Sequence, residues 1–167
     1  VSALLDNSLV LVRDTCAKHG ITLTTDIAPS VRGLHVKADE RRLKQVLYNL
    51  LSNATKFTSD GGTIQLQARL TDTLPPHLEV SITDSGIGIA PHDQQRIFEA
   101  FYQVQQGTVN KTPGTGLGLC LVDQLVKVHG GHVQVESQGE GHGSRFTFVI
   151  PIDGRSSVGK PEPVTAP

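Results

Sequence analysis

Three short runs carry residue types that could do chemistry together. In "NLLSNATKFT", Asn49, Asn53 and Lys56 are spaced four and three residues apart, which on a helix is one face. Two amides and an ammonium opposite a leucine stripe are not needed for packing. An amide oxygen is a good ligand for a hard cation, and a lysine is a phosphate contact. In "DSGIGIAP", Asp84 closes a strand-like run before Gly86 and Gly88. A carboxylate there can accept a hydrogen bond from an exocyclic amine, and the glycines let a flat base approach the backbone. "GTGLGL" at 114–119 opens a helix, whose unpaired N–H groups and dipole favour phosphate. Each run also has a plainer reading: a solvated helix face, an Asp-Ser-Gly turn, a hinge.

Two common nucleotide motifs fail on context. A dinucleotide fingerprint needs a strand, G-x-G-x-x-G and then a helix; here Pro91 and a long loop follow the first glycine run, and no strand precedes the second. The P-loop pattern G-x-x-x-x-G-K-[ST] is absent.

The elements that must position these residues follow from periodicity. Residues 2–19 place Leu4, Leu5, Leu9, Val12 and Cys16 on one helical face, and Gly20 supplies a stop. Residues 21–27 alternate like a strand, and 33–39 form a second short extended stretch. Residues 39–57 are a strong helix with Asp39 as its N-cap and Leu43, Val46, Leu47, Leu50 and Leu51 as its stripe. Residues 63–70 and 78–84 are neighbouring strands joined through Pro75 and Pro76. Roughly 85–115 is a long irregular stretch with a short helix near 92–99; a loop of that length is usually a lid or binding loop. A helix over 116–130 and two strands at 132–138 and 144–152 complete the order. Helix, strands, helix, hairpin, lid, helix and hairpin predict a two-layer α/β sandwich, with helices on one face of a mixed sheet.

In combination, N-x-x-x-N-A-x-K, D-x-G-x-G and G-T-G-L-G-L resemble the catalytic, ATP-binding domain of sensor histidine kinases, within the group that includes gyrase B, Hsp90 and MutL. "RIFEAFYQV" at 96–104 resembles the F box, and "GHGSRFTFVIPI" the closing strand. The resemblance covers about 1–152. It implies the Bergerat fold, an α/β (α+β) sandwich whose mostly antiparallel five-stranded sheet carries about three helices on one face. It also implies ATP and Mg²⁺ as cofactors, and a catalytic set of Asn49, Asn53 and Lys56. Asn53 would hold the metal with Asn49 assisting. Lys56 would contact phosphate, and Phe57 would lie against the nucleotide. Asp84 would read the adenine amino group beside Gly86 and Gly88. Phe98 and Phe101 would anchor the lid, about 98–115. Tyr102, Lys111 and the backbone of Thr115, Gly116, Leu117 and Gly118 would close over ATP. Many members carry Arg where this chain has Gln103, which leaves that γ-phosphate contact unassigned.

The ATPase members of the group and its anti-sigma-factor kinases place a Glu four residues before the metal-binding Asn, as a general base toward water or a hydroxyl. Here that position is Asn49, which cannot accept a proton. A kinase whose acceptor brings its own nucleophile is favoured over a hydrolytic machine; the alternative is a regulatory or docking module that keeps the pocket. The acceptor would be a histidine. None of the seven here lies in the family's H-[ED]-x-R-[TS]-P context. The expected partners are therefore dimerisation helices upstream of Val1 and a response regulator or receiver domain. His19 and His129 are placed to serve helix ends; a metal trio of His129, His132 and His142 is the weaker alternative.

Composition bounds the rest. The chain has 167 residues, enough for one domain, and a net charge of -1 from 15 basic and 16 acidic residues. That balance gives no electrostatic footprint for nucleic acid. Cys16 and Cys120 fall in apolar helical runs, which reads as buried thiols in a reducing compartment. The expectation is a monomeric, cytoplasmic fragment of a longer protein, soluble or anchored in the inner membrane, with 153–167 as a proline-rich linker or tail.

Overall fold

Leucines and valines at helical spacing, and aliphatics at every second position of the strands, must find one common interior. In the computed structural model, which describes residues 1–104 and 114–152, they do so between one layer of helices and one sheet. The elements are α1 (Ser2–Lys18), β1 (Thr22–Ile27), α2 (Glu40–Phe57), β2 (Thr63–Leu70), β3 (His77–Asp84), α3 (Pro91–Gln94), α4 (Gly118–Val128), β4 (His132–Glu136) and β5 (Ser144–Pro151). The sheet order is β1-β2-β3-β5-β4. Only β1 and β2 pair in parallel, with α2 as the crossover between them; the other pairs are antiparallel.

One face of the sheet is apolar. Ile64, Leu66 and Ala68 of β2 and Leu78, Val80 and Ile82 of β3 are buried, as are Phe146, Phe148 and Ile150 of β5. They meet Leu47, Leu50 and Leu51 of α2, Val122 and Val126 of α4, and Leu5, Leu9 and Val12 of α1 in one cluster. Burying a side chain of this size stabilises the fold by about 1.5–3 kcal/mol before entropy is counted. The far face is polar, with Arg145 Nη2 donating to Ser81 Oγ at 3.1 Å.

The N-cap of α2 is the expected Asp39, whose Oδ1 accepts from Arg42 N–H at 3.1 Å. Register then fixes the site: β3 ends at Asp84, opposite Ile64 on one side and Ser144 on the other. Cys16 is buried and Cys120 half-buried, and burial raises the Cys16 thiol pKa.

Three expectations need correction. Residues 33–39 form no strand. Val31 and Leu34 make a turn instead, with Leu34 N–H donating to the Val31 carbonyl at 3.1 Å. The helix near 92–99 is α-helical only from Pro91 to Gln94 and continues as turns. The third concerns His19, whose Nδ1 lies 2.8 Å from Asp60 Oδ1 rather than at the helix-end carbonyls. His129 behaves as expected, its Nδ1 meeting the Leu125 carbonyl at 2.7 Å in the last turn of α4. The tail at 153–167 lies outside the described residues.

Candidate functional site

Asp84 is 7% exposed at the end of β3. Its Oδ1 accepts from Gly86 N–H at 2.8 Å, and its Oδ2 accepts from the Ser144 hydroxyl at 2.6 Å. Both oxygens are thus held in place, and each keeps a lone-pair direction for a further donor. The two glycines after it are required by space. A Cβ on Gly86 would fall 2.3 Å from the Phe57 carbonyl oxygen. Gly88 has φ +72, and a Cβ there would fall 2.0 Å from the Gly139 carbonyl oxygen.

The C-terminal half of α2 touches both glycine runs. The Phe57 carbonyl accepts from Ile87 N–H at 3.1 Å, which ties the helix end to the Asp84 loop. One residue earlier, the Lys56 ammonium lies against the other run: a Cβ on Gly114 would stand 2.8 Å from it. The same ammonium lies 5.1 Å over the centre of the half-buried Phe57 ring. Two turns back, Asn49 Nδ2 donates to the Gly118 carbonyl at 3.2 Å, and Asn49 Oδ1 accepts from Gln45 Nε2 at 2.9 Å. Asn49 is therefore a clip between α2 and α4, with both ends of its amide on protein partners. Asn53 is half-buried on the same face between them.

The second glycine run is held at both ends of its approach. Gly116 has φ +70, and its carbonyl accepts from Phe101 N–H at 2.9 Å. Leu117 N–H donates to Thr115 Oγ1 at 3.4 Å, and Gly118 is the first residue of α4. Gln103 Nε2 donates to the Gly114 carbonyl at 2.7 Å, a neutral bond. Phe98 packs edge-on to Phe146 at 6.4 Å. Phe101 does not: it is 74% exposed and sits at φ +65, a left-handed conformation unusual for a non-glycine residue. Tyr102 follows at the end of the same segment. Its hydroxyl donates to the buried Asp93 carboxylate and its ring stacks under the Arg96 guanidinium at 4.3 Å, so it braces the segment after α3. The bond to Asp93 raises the phenol pKa above its ordinary value. Lys111 lies outside the described residues.

Residues 38–154 match the family described as "Histidine kinase-, DNA gyrase B-, and HSP90-like ATPase". The chain belongs to this family. It is similar to the circadian input-output histidine kinase CikA of Synechococcus elongatus, 40% identical over 152 residues, which is 90% of this chain and 20% of that protein. It is also similar to full-length ShkA solved with AMPPNP, at TM-score 0.75 and 34% identity, covering 93% of this chain and 30% of that one. The histidine kinase ThkA, solved in complex with the response regulator TrrA, matches at TM-score 0.74 and 27% identity, over 92% of this chain and 41% of that one. The chain spans from 8% to 33% of the length of the curated relatives it matches.

The histidine-kinase-type ATP-binding domain thus has its expected sheet and its expected motifs in one place. Sequence reading missed the groups that hold them. Ser144, the partner of Asp84, lies sixty positions away and is visible only through the β3–β5 register. Asp93 could have been suspected, since an acidic residue follows Pro91 in a predicted helix start. The β4–β5 turn gave no signal, although Gly141 N–H donates to the Ile87 carbonyl at 2.6 Å and Gly143 N–H to the Gly86 carbonyl at 3.0 Å. Among the described residues no group of three or more His, Cys, Asp or Glu could hold a metal ion, so the histidine trio does not form one. Among them, too, no helix is long and apolar enough to cross a membrane.

Proposed function

We propose that this domain binds Mg²⁺-ATP between the two glycine runs and passes the γ-phosphate to a histidine on dimerisation helices of the full-length protein. The observation that carries the reading is the reach of α2: Phe57 and Lys56 are adjacent, yet one is bonded to the Asp84 loop and the other lies against Gly114. Both runs therefore border one space. Asp84 reads the exocyclic amine of adenine, with Gly86 and Gly88 beneath the base. Lys56 and the first amides of α4, at Leu117 and Gly118, meet the phosphates.

The donor set fits magnesium of the nucleotide-bound kind. There is no acidic cage among the described residues, and Asn53 would hold the ion through its amide oxygen. Held there, it would supply charge neutralisation at the phosphates. The chain's own contribution is positioning and charge, and Asn49 offers no base to activate water. An imidazole acceptor needs none. Phe101, Leu117 and Leu121 are exposed apolar residues close to the phosphate end, since Phe101 N–H is bonded to Gly116. They suit docking on a helical hairpin, and a response regulator or receiver domain is the onward partner.

The test supplies a histidine-bearing helical hairpin in trans with γ-labelled ATP and Mg²⁺. Label should appear on the hairpin as an acid-labile, base-stable phosphoryl group. Asn53→Ala should lower the rate by about 100-fold or more, the scale of a lost electrostatic contact to the transferring group. Phosphate released to water at the same rate with and without the hairpin would contradict the proposal.

A further inference from the structure

The Gly86–Ile89 segment belongs to no helix or strand, yet it must hold a base at hydrogen-bonding distance from Asp84. Its first half is fixed by Asp84 Oδ1 and the Phe57 carbonyl. Its second half is fixed by two half-buried side chains from elsewhere. Ser137 Oγ accepts from Ile89 N–H at 3.0 Å and donates to the Gly143 carbonyl at 2.7 Å. Gln94 Nε2 donates to the Ile89 carbonyl at 3.0 Å and to the Ser137 carbonyl at 2.9 Å. The hydroxyl and the amide thus extend to Ile89 the hold that the β4–β5 turn already has on Gly86 and Ile87 through the Gly143 and Gly141 N–H groups. That turn in turn fills the space behind Gly88, where the Gly139 carbonyl leaves no room for a Cβ.

We infer that Gln94 and Ser137 are positioning residues for base recognition: without touching the nucleotide, they set the height of Gly86–Ile89 relative to the Asp84 carboxylate. The inference rests on the proposed adenine reading of Asp84. The chemistry is specific at both positions. Gln94 spends both amide protons on carbonyls, so a glutamate there would face two carbonyl oxygens with acceptors only. Ser137 must accept and donate at once, which a hydroxyl does and a methyl does not. A hydrogen bond to an exocyclic amine is steep in distance and angle. A base held only by stacking tolerates a looser loop.

The experiment compares ATP with inosine triphosphate, which carries a carbonyl where adenine has its amine, by calorimetry on this chain. The wild type should prefer ATP, and Asp84→Asn should remove the preference. Ser137→Ala and Gln94→Met should each weaken ATP about five-fold, the worth of one ordinary hydrogen bond, with inosine triphosphate affected less than about two-fold. Ser137→Thr, which restores the hydroxyl, should recover the ATP preference. Thermal unfolding identifies any variant that is not folded, and the other position then carries the test. An unchanged ratio of the two affinities in a folded Ser137→Ala or Gln94→Met protein would overturn the inference while leaving the Asp84 reading intact. A wild type without preference for ATP would overturn both.

Discussion

Asp84→Asn is expected to weaken ATP binding about 100-fold while the domain stays folded. The carboxylate has one oxygen on Gly86 N–H and the other on the Ser144 hydroxyl, and it is 7% exposed. Asparagine matches its size, and its amide oxygen can still accept from Gly86. The other end becomes an NH₂ group, which can donate to the Ser144 oxygen but opposes the exocyclic amine of adenine. A charge-assisted bond is lost, and two donors are left facing one another in a buried place, each effect worth about 1–3 kcal/mol. Sites built to hydrogen-bond a polar group discriminate by such factors. Calorimetry on the wild type and the variant gives the ratio directly. Asp84→Ala should behave differently: it orphans Gly86 N–H and Ser144 together, so stability should also fall by about 2 kcal/mol.

Gly88→Ala should damage fold and site together. The left-handed backbone costs an alanine about 1–2 kcal/mol. The added Cβ would also stand 2.0 Å from the Gly139 carbonyl oxygen, which is backbone and cannot swing aside. The base loop must move away from the β4–β5 turn, so the unfolding midpoint should drop by several degrees and ATP affinity by about tenfold or more. Gly118→Ala is the contrast. Among the described residues, nothing beyond its chain neighbours and its own helix backbone lies within 4 Å of a Cβ there, and the residue is already helical. It should leave the midpoint near that of the wild type. If it weakens ATP none the less, its glycine serves the approach of a phosphate rather than the fold.

The strands and helices around the core were legible because their patterns are strong and one-sided. The alternation in "TIQLQARL" gave β2 with its observed bounds, and the leucine stripe with Asp39 gave α2 to within one residue. Where a short apolar run had no partner, as in "GLHVKAD", alternation alone misled: a strand needs a neighbour, and Leu34 N–H is turned back onto the Val31 carbonyl. The site was legible in its motif residues, because Asp84, Lys56 and the glycines have local reasons to be where they are. It was not legible in its braces. The Tyr102 hydroxyl bonds Asp93, and the Asn49 amide bonds the Gly118 carbonyl on α4. Such roles depend on which distant elements meet, and one-dimensional spacing carries no record of that. The β4–β5 turn is the extreme case: its amides support the base loop, and a run of alternating glycines reads only as a turn.

The central claim is that the two glycine runs hold one nucleotide. Amide chemical shifts of the ¹⁵N-labelled domain test it most directly, with adenosine and then Mg²⁺-ATP added to the same sample. Adenosine should shift Gly86 and Gly88 and leave Gly116 and Gly118 nearly unmoved. Mg²⁺-ATP should shift all four with a single saturation curve. Shifts confined to one run with both ligands, or two curves with different midpoints, would contradict the shared site.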